Sequence, residues 1–281
     1  MRTTGGRNVQ VRGTRILITG AANGLGLAIA NAFAKAGANI VVTDINAVAL
    51  EHAVTALREH GTQVAGYALD VTNTDAVVAV RDRVLHECGP IDILVNNAGI
   101  VFGGSFQDVP LAKHLATVDV NLRGLLAVTH AFVPQLLTRP RAHIVNIASA
   151  SAVIALPFAT SYAATKWAVL GFSEALREEF REQKFANIGV SAICPSYIAT
   201  GLFAGAKPAR GTKWLTPETV ATAVVNAVER EREMVLLPRS VRVMHALARV
   251  LPRRVFRFAC RVFGVSRSMS GWQGHTSPQS R

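Results

Sequence analysis

The 281-residue chain has only three cysteines, Cys88, Cys194 and Cys260. They are odd in number, far apart and without CxxC spacing, which argues against a disulfide framework and against a metal site. A reducing, cytoplasmic setting fits best. Long apolar runs are missing as well. The first apolar stretch, Ile16 to Ile18, is too short for a signal-peptide core, and no segment reaches about 18 uncharged apolar residues, so no membrane span is expected. Acid is absent from both ends: residues 1–15 carry four arginines and residues 239–281 carry nine, with no Asp or Glu in either. The formal net charge of +12 therefore belongs to the ends, and residues 16–238 are nearly neutral at −1. That excludes a general nucleic-acid-binding surface on the folded body as an expectation, and sets the C-terminal tail apart as a separate element.

What is present is a large supply of core: half the residues are hydrophobic and 17% are charged. Short apolar runs alternate with helical patterns from residue 15 to about 237, the signature of βα units building a parallel sheet. Residues 15–19, 39–43, 63–69, 91–95, 142–148, 188–194 and 234–237 read as seven strands. Residues 25–36, 46–60, 74–87, 111–137, 160–182 and 217–229 read as helices. No second period and no linker interrupt them, so an α/β fold with one doubly wound domain over 15–238 is expected. An N-terminal arm over 1–14 precedes it. A basic helical extension over 239–265 and a disordered tail over 266–281 follow.

In RILITGAANGLGLAIA a glycine cluster stands between the first strand and the first helix. Gly20 permits a tight turn, Gly24 and Gly26 leave room for a pyrophosphate, and the amides opening the helix form an anion site. Asp44 ends the second strand, where a carboxylate accepts both ribose hydroxyls of an adenosine and repels a 2′-phosphate. With no Arg or Lys beside it, NAD is preferred over NADP. Asp44 also suits the cap of the next helix, and the two roles are compatible. Asp70, before Val71, either holds the adenine amino group or caps a strand end.

Tyr162 and Lys166 lie four apart in a helical pattern, on one face a turn apart. A free phenol has a pKa of about 10. A neighbouring ammonium is expected to lower it by roughly one to three units, making Tyr162 a usable proton carrier as hydride moves to or from a nicotinamide. Ser149, closing the fifth strand, is placed to hold the substrate oxygen, with Ser151 as a weaker substitute.

TGAANGLG at 19–26, NNAG at 96–99, Asn121, Ser149, YAATK at 162–166 and Pro195 with Thr200 together resemble the short-chain dehydrogenase/reductase family in its single-domain form. The resemblance implies a seven-stranded Rossmann sheet, a catalytic set of Asn121, Ser149, Tyr162 and Lys166, and subunits paired as homodimers or homotetramers. Asn121 is implied to hold a water connecting Lys166 to solvent, and Asn96-Asn97-Ala98-Gly99 to be structural. Thr200 is implied to meet the nicotinamide carboxamide. The cofactor-binding set then comprises Gly20, Asn23, Gly24, Leu25, Gly26, Asp44, Asp70, Val71, Asn97, Ala98, Gly99, Tyr162, Lys166, Pro195 and Thr200. Pro195-Ser196 replaces the family's usual Pro-Gly, implying a stiffer loop, and Ala148 replaces a common serine.

Segments 100–106, 152–158 and 197–214 are expected beside the substrate. The first two are almost wholly apolar, favouring a lipophilic alcohol or ketone such as a steroid, retinoid or long-chain compound. The extension interleaves arginines with Val, Leu, Met and Phe around Pro252. Such helices either lie in an anionic membrane interface or pack on the body or a second subunit, closing the substrate cleft. Against an NAD-dependent oxidoreductase stand a non-catalytic dinucleotide sensor and a membrane-recruited scaffold on the same fold.

Overall fold

A computed structural model of the chain describes residues 10–210 and 212–274. The expected N-terminal arm up to residue 9 and the tail from 275 onward lie outside the described residues.

The seven apolar runs become β1 (Arg15–Thr19), β2 (Asn39–Asp44), β3 (Val64–Ala68), β4 (Ile93–Asn96), β5 (Ala142–Ile147), β6 (Ile188–Pro195) and β7 (Met234–Leu237). All pair in parallel in the order β3-β2-β1-β4-β5-β6-β7. The order reverses between β1 and β4, which leaves a crevice at the carboxyl ends of those strands. Successive side chains of a strand point to opposite faces. Ile16 and Ile18 accordingly enter one core with α1 (Gly24–Lys35), α2 (Ala47–Arg58) and α7 (Pro217–Glu229). Leu17 enters the other, with α3 (Thr74–Glu87), α5 (Leu125–Leu137) and α6 (Thr160–Glu182). This explains why buried strands read as unbroken apolar runs rather than alternating ones.

One expected helix, 111–137, is interrupted. Between α4 (Leu111–Val118) and α5 the chain makes a π-helical turn at Asp119–Gly124. Such a turn accommodates an extra residue and re-aims its side chains, and it occurs often at functional sites. Here it carries Asn121 into the interior. Beyond β7, α8 (Arg239–Val250) and α9 (Arg253–Val262) flank Pro252.

His143 on β5 is an example of a buried titratable group with a purely structural fit. Its Nε2 is 2.8 Å from Ser191 Oγ, and Ser191 donates to the Arg232 carbonyl. Burial lowers its pKa to about 4, so the ring is neutral.

Candidate active site

Gly20 follows β1 with φ of +62°, and a Cβ there would stand 2.8 Å from Ala98 Cα. Only glycine allows both. Gly24 also has a left-handed φ, +55°, and a Cβ there would meet nothing closer than Thr200 at 3.5 Å. Gly26 differs from the sequence expectation. A Cβ there would collide with the Gly20 carbonyl at 2.1 Å and Asn97 Nδ2 at 2.6 Å. Its smallness serves the packing of α1 against the loop, in addition to its place in the lining of the cleft described below. Helices α2, α3 and α7 are capped by Asn46, Asn73 and Thr216, but Asn23 makes no side-chain cap on α1. The amides opening α1 therefore carry no side-chain cap, as is also the case for α4, α6, α8 and α9.

The loop is tied to the sheet by side chains. Asp44 Oδ2 accepts from the Ala22 amide and Oδ1 from the Asn46 amide, both at 3.0 Å. The Asp44 carboxylate thus fixes the glycine loop to the end of β2, while Asn46 itself caps α2 through the Ala49 amide. Asp70 Oδ1 closes a local turn by accepting from Thr72 N and Oγ1 at 2.9 and 2.7 Å. Asn97 Nδ2 donates to the carbonyls of Thr19 and Gly20 at 3.0 and 2.8 Å. Thr19 Oγ1 accepts from the amides of both Asn97 and Ala98. Asn96, one residue earlier, donates to Thr129 Oγ1 and Asn146 Oδ1 and links β4 to α5 and β5.

At the chemical end, α6 places Tyr162 and Lys166 together, with Lys166 Nζ 5.6 Å from the phenol ring centroid. Lys166 donates to the Ile147 carbonyl at 2.8 Å. Asn121 holds Ile100 N and O through its amide and donates to Thr165 Oγ1 at 3.1 Å. Its Oδ1 and Lys166 Nζ both flank Gly99, 3.3 and 3.6 Å from where a Cβ would be. Ser149 is buried at the start of a short 3-10 turn, accepting from the Ser151 amide. Ser151 faces a different space, with its hydroxyl unpartnered.

The electrostatics reverse one expectation. Burial raises the Tyr162 pKa above its ordinary 10; a hydrogen bond from Ser149 pulls it down, and Tyr197 and Cys194 push it up. Burial lowers Lys166 to about 8, with Cys194 opposing. The ammonium does not depress the phenol here, because withdrawing both groups from water disfavours both charged forms.

A cleft of about 440 Å³ joins the two ends. It brings together Gly20, Asn23, Gly24, Leu25, Gly26, Asn97, Gly99, Tyr162, Lys166, Pro195 and Thr200. Asp44, Asp70, Val71, Ala98, Asn121 and Ser149 are not among its lining residues and stand behind or beside it. Ser196 lines it too, as do Ile198, Leu202 and Phe203 of the segment 197–214 expected beside the substrate, none of which was named individually as a site residue. Their signal was their place in the loop after β6. Ser196 fits where glycine is usual: it has no left-handed φ, and its amide continues the sheet by donating to the Leu237 carbonyl. A second cavity of about 390 Å³ shares Ser196 with the cleft and is walled by Ile154, Leu156, Val241, Met244, Leu247 and Phe263.

The expectation of disorder from residue 266 fails for 266–274. Ser268 and Met269 are buried, and Met269 packs in one cluster with Tyr162, Tyr197 and Phe203. The apolar surface of this short polar stretch is small but concentrated in Met269 and Trp272, and specific hydrogen bonds with the body hold it in place.

Residues 14–211 match the short chain dehydrogenase family. Human estradiol 17-beta-dehydrogenase 11 is 31% identical over 251 residues, covering 88% of this chain and 82% of that protein. Mouse epidermal retinol dehydrogenase 2 is 33% identical over 267 residues, covering 94% and 86%. Among solved structures, a short chain dehydrogenase/reductase from Burkholderia phymatum in complex with NAD superposes with a TM-score of 0.79 at 26% identity, covering 97% of this chain and all of that one. L-sorbose reductase from Gluconobacter frateurii, complexed with NADPH and L-sorbose, gives 0.73 at 27% identity, covering 82% and 97%.

Proposed function

The chain belongs to the short chain dehydrogenase family, and from that premise we propose that it transfers hydride between NAD and the carbinol or carbonyl carbon of a lipophilic alcohol or ketone. The observation that carries this reading is the single cleft lined by an uncapped glycine-loop helix at one end and by Tyr162 with Lys166 at the other. The residues present fit a dinucleotide: the amides opening α1 suit a pyrophosphate, and Gly24 leaves that approach clear. Asp44 suits the adenosine ribose and disfavours a 2′-phosphate, which supports NAD over NADP. Asp70 and Val71 would flank the adenine, and Asn97, Ala98, Gly99, Pro195 and Thr200 would line the nicotinamide end. When bound, NAD supplies the hydride acceptor and a positive ring.

The chain's own residues handle the proton. Ser149 holds the substrate oxygen, and Tyr162 Oη returns a proton to it in reduction; in oxidation Tyr162 takes that proton as the phenolate, the form that Lys166 and a bound positive nicotinamide ring would favour against its burial. Lys166 holds positive charge beside the phenol while anchored on the Ile147 carbonyl. Asn121 braces Ile100 and Thr165 around this pair, so the lysine keeps one position.

The apolar cluster at Tyr162, the second apolar cavity and the relatives named for estradiol and retinol support a steroid, retinoid or long-chain substrate. A screen of lipophilic primary and secondary alcohols with NAD and NADP, read by absorbance of reduced cofactor, tests the reading. Turnover faster with NAD is expected; a strong preference for NADP would remove the argument from Asp44.

A membrane surface is the location this proposal favours. No described helix is long and apolar enough to cross a membrane. On α8 and α9, however, Leu247, Val250, Val255 and Phe258 are exposed beside Arg249, Arg254 and Arg257, the composition of an interfacial helix. Sedimentation with anionic vesicles at low salt, reduced at high salt, is the expected behaviour, and equal recovery with neutral vesicles would oppose it.

A further inference from the structure

We propose, on the basis of the activity inferred above, that Met269 and Trp272 are specificity-determining residues: the segment Val265–Gly274 forms the wall of the substrate chamber that faces away from the dinucleotide. The chain leaves α9 at Gly264, whose left-handed φ of 80° turns it back toward the body. Several hydrogen bonds then fix it. Tyr197 Oη donates to Ser268 Oγ and the Lys207 amide to the Ser268 carbonyl, both at 2.8 Å. Trp272 Nε1 donates to the Leu202 carbonyl at 3.2 Å, and the Gln273 amide to Ala204 O at 3.0 Å.

Between these anchors the side chains reach the reacting region from two directions. Met269 is 1% exposed and packs with Val101, Ala159, Tyr162, Tyr197 and Phe203. The Trp272 indole stands edge-on to Phe102, with centroids 6.4 Å apart, and covers Gly103 so closely that a Cβ there would lie 2.8 Å from it. Two segments far apart in sequence, following β4 and β6, are thus joined by the strap. Tyr162 meets the dinucleotide cleft on one side and this cluster on the other. A carbinol held at Tyr162 and Ser149 therefore turns its carbon skeleton toward the apolar side chains of Val101, Ala159, Phe203 and Met269. Met269, an unbranched thioether able to fill irregular gaps, sets how much room that skeleton has.

The test uses the full chain with two probes, cyclohexanol and a fused-ring sterol alcohol. One readout is kcat/KM for each with NAD. The other is the Kd of the two corresponding ketones for the NAD-saturated protein, a complex with no hydride to transfer, by calorimetry. Met269→Ala is expected to shift the bulky-to-small ratio by about tenfold toward the sterol, and Met269→Phe by a similar factor the other way, since a few methylenes in an apolar site discriminate on that scale. NAD affinity should not change. Trp272→Ala, which trims the rim of the wall where the half-buried indole packs against the cluster at Tyr162, should move the ratio toward the sterol even if Met269→Ala fails to fold. Ratios staying within about twofold of the parent in variants that bind NAD would overturn the proposal. A parent chain that binds both ketones but oxidises neither alcohol would refute the activity, and the ketone affinities alone would then decide the role of Met269. Binding of neither ketone would overturn both.

Discussion

The two ends of the cleft are held by different physics. At the dinucleotide end, Thr19, Asp44 and Asn97 each bond to backbone groups of another segment, and the result is a rigid loop with its helix amides free of a side-chain cap. At the chemical end, Tyr162, Lys166 and Ser149 are sunk into apolar surroundings, and burial moves both the phenol and the amine away from their charged forms. One end is finished before a ligand arrives. The other carries an electrostatic penalty that only a bound, charged cofactor and a substrate oxygen relieve, a division that fits a site built for differential stabilisation of the reacting state.

The largest effect that would break this contrast is expected at Tyr162. Tyr162→Phe should lower kcat by about 10³ or more while the NAD Kd stays near that of the parent, since the phenol oxygen belongs to proton transfer alone. Turnover unchanged in stopped-flow assays would abolish the division of labour.

Lys166→Met should separate stability from activity. A lysine with a folded-state pKa of about 8, below its ordinary 10.5, binds fewer protons when folded than when unfolded across that interval. Stability therefore rises with pH from about 8 to 10.5, and below pH 8 the full penalty applies, about 3 kcal/mol for a shift of this size. Methionine keeps most of the aliphatic volume without the charge. The variant should gain up to about 3 kcal/mol at pH 7 in denaturant unfolding without cofactor, lose the rise above pH 8, and lose activity by about 10². A loss of stability at pH 7 would show that the bond to the Ile147 carbonyl outweighs desolvation.

The dinucleotide end was the more legible in sequence for the same reason that it is the more rigid. A left-handed turn at Gly20 and a strand-end Asp44 leave local signatures, and the βα alternation located all seven strands to within a residue or two. Gly26 could be found but not assigned, because its neighbour Asn97 is more than 70 residues away. The π turn at Asp119–Gly124 left no periodicity signal distinct from a continuous helix. At the chemical end, the pair spacing of Tyr162 and Lys166 was readable. Their shifted titration was not, since desolvation depends on what the fold stacks around them. Met269 lay hidden in a stretch rich in Ser, Arg and Gly, where composition argues for disorder and hydrogen bonds to the loop after β6 argue otherwise.

The smallest expected effect sharpens the contrast from the other side. Asp44→Ala removes the acceptor for the Ala22 and Asn46 amides and the carboxylate proposed for the ribose. Both losses weaken NAD and neither touches the phenol. The NAD Kd should rise about tenfold, roughly 1.4 kcal/mol, with kcat at saturating NAD within about twofold of the parent. NADP should gain relative to NAD, because a negative charge facing the 2′-phosphate is gone; Asp44→Asn, which keeps an acceptor, should show that relative gain with a smaller loss of NAD affinity. Fluorescence titration of both cofactors against all three proteins separates loop anchoring from charge exclusion. An Asn variant as weak for NAD as the Ala variant would assign the whole effect to the carboxylate's charge, leaving the bond to Ala22 without a measurable share.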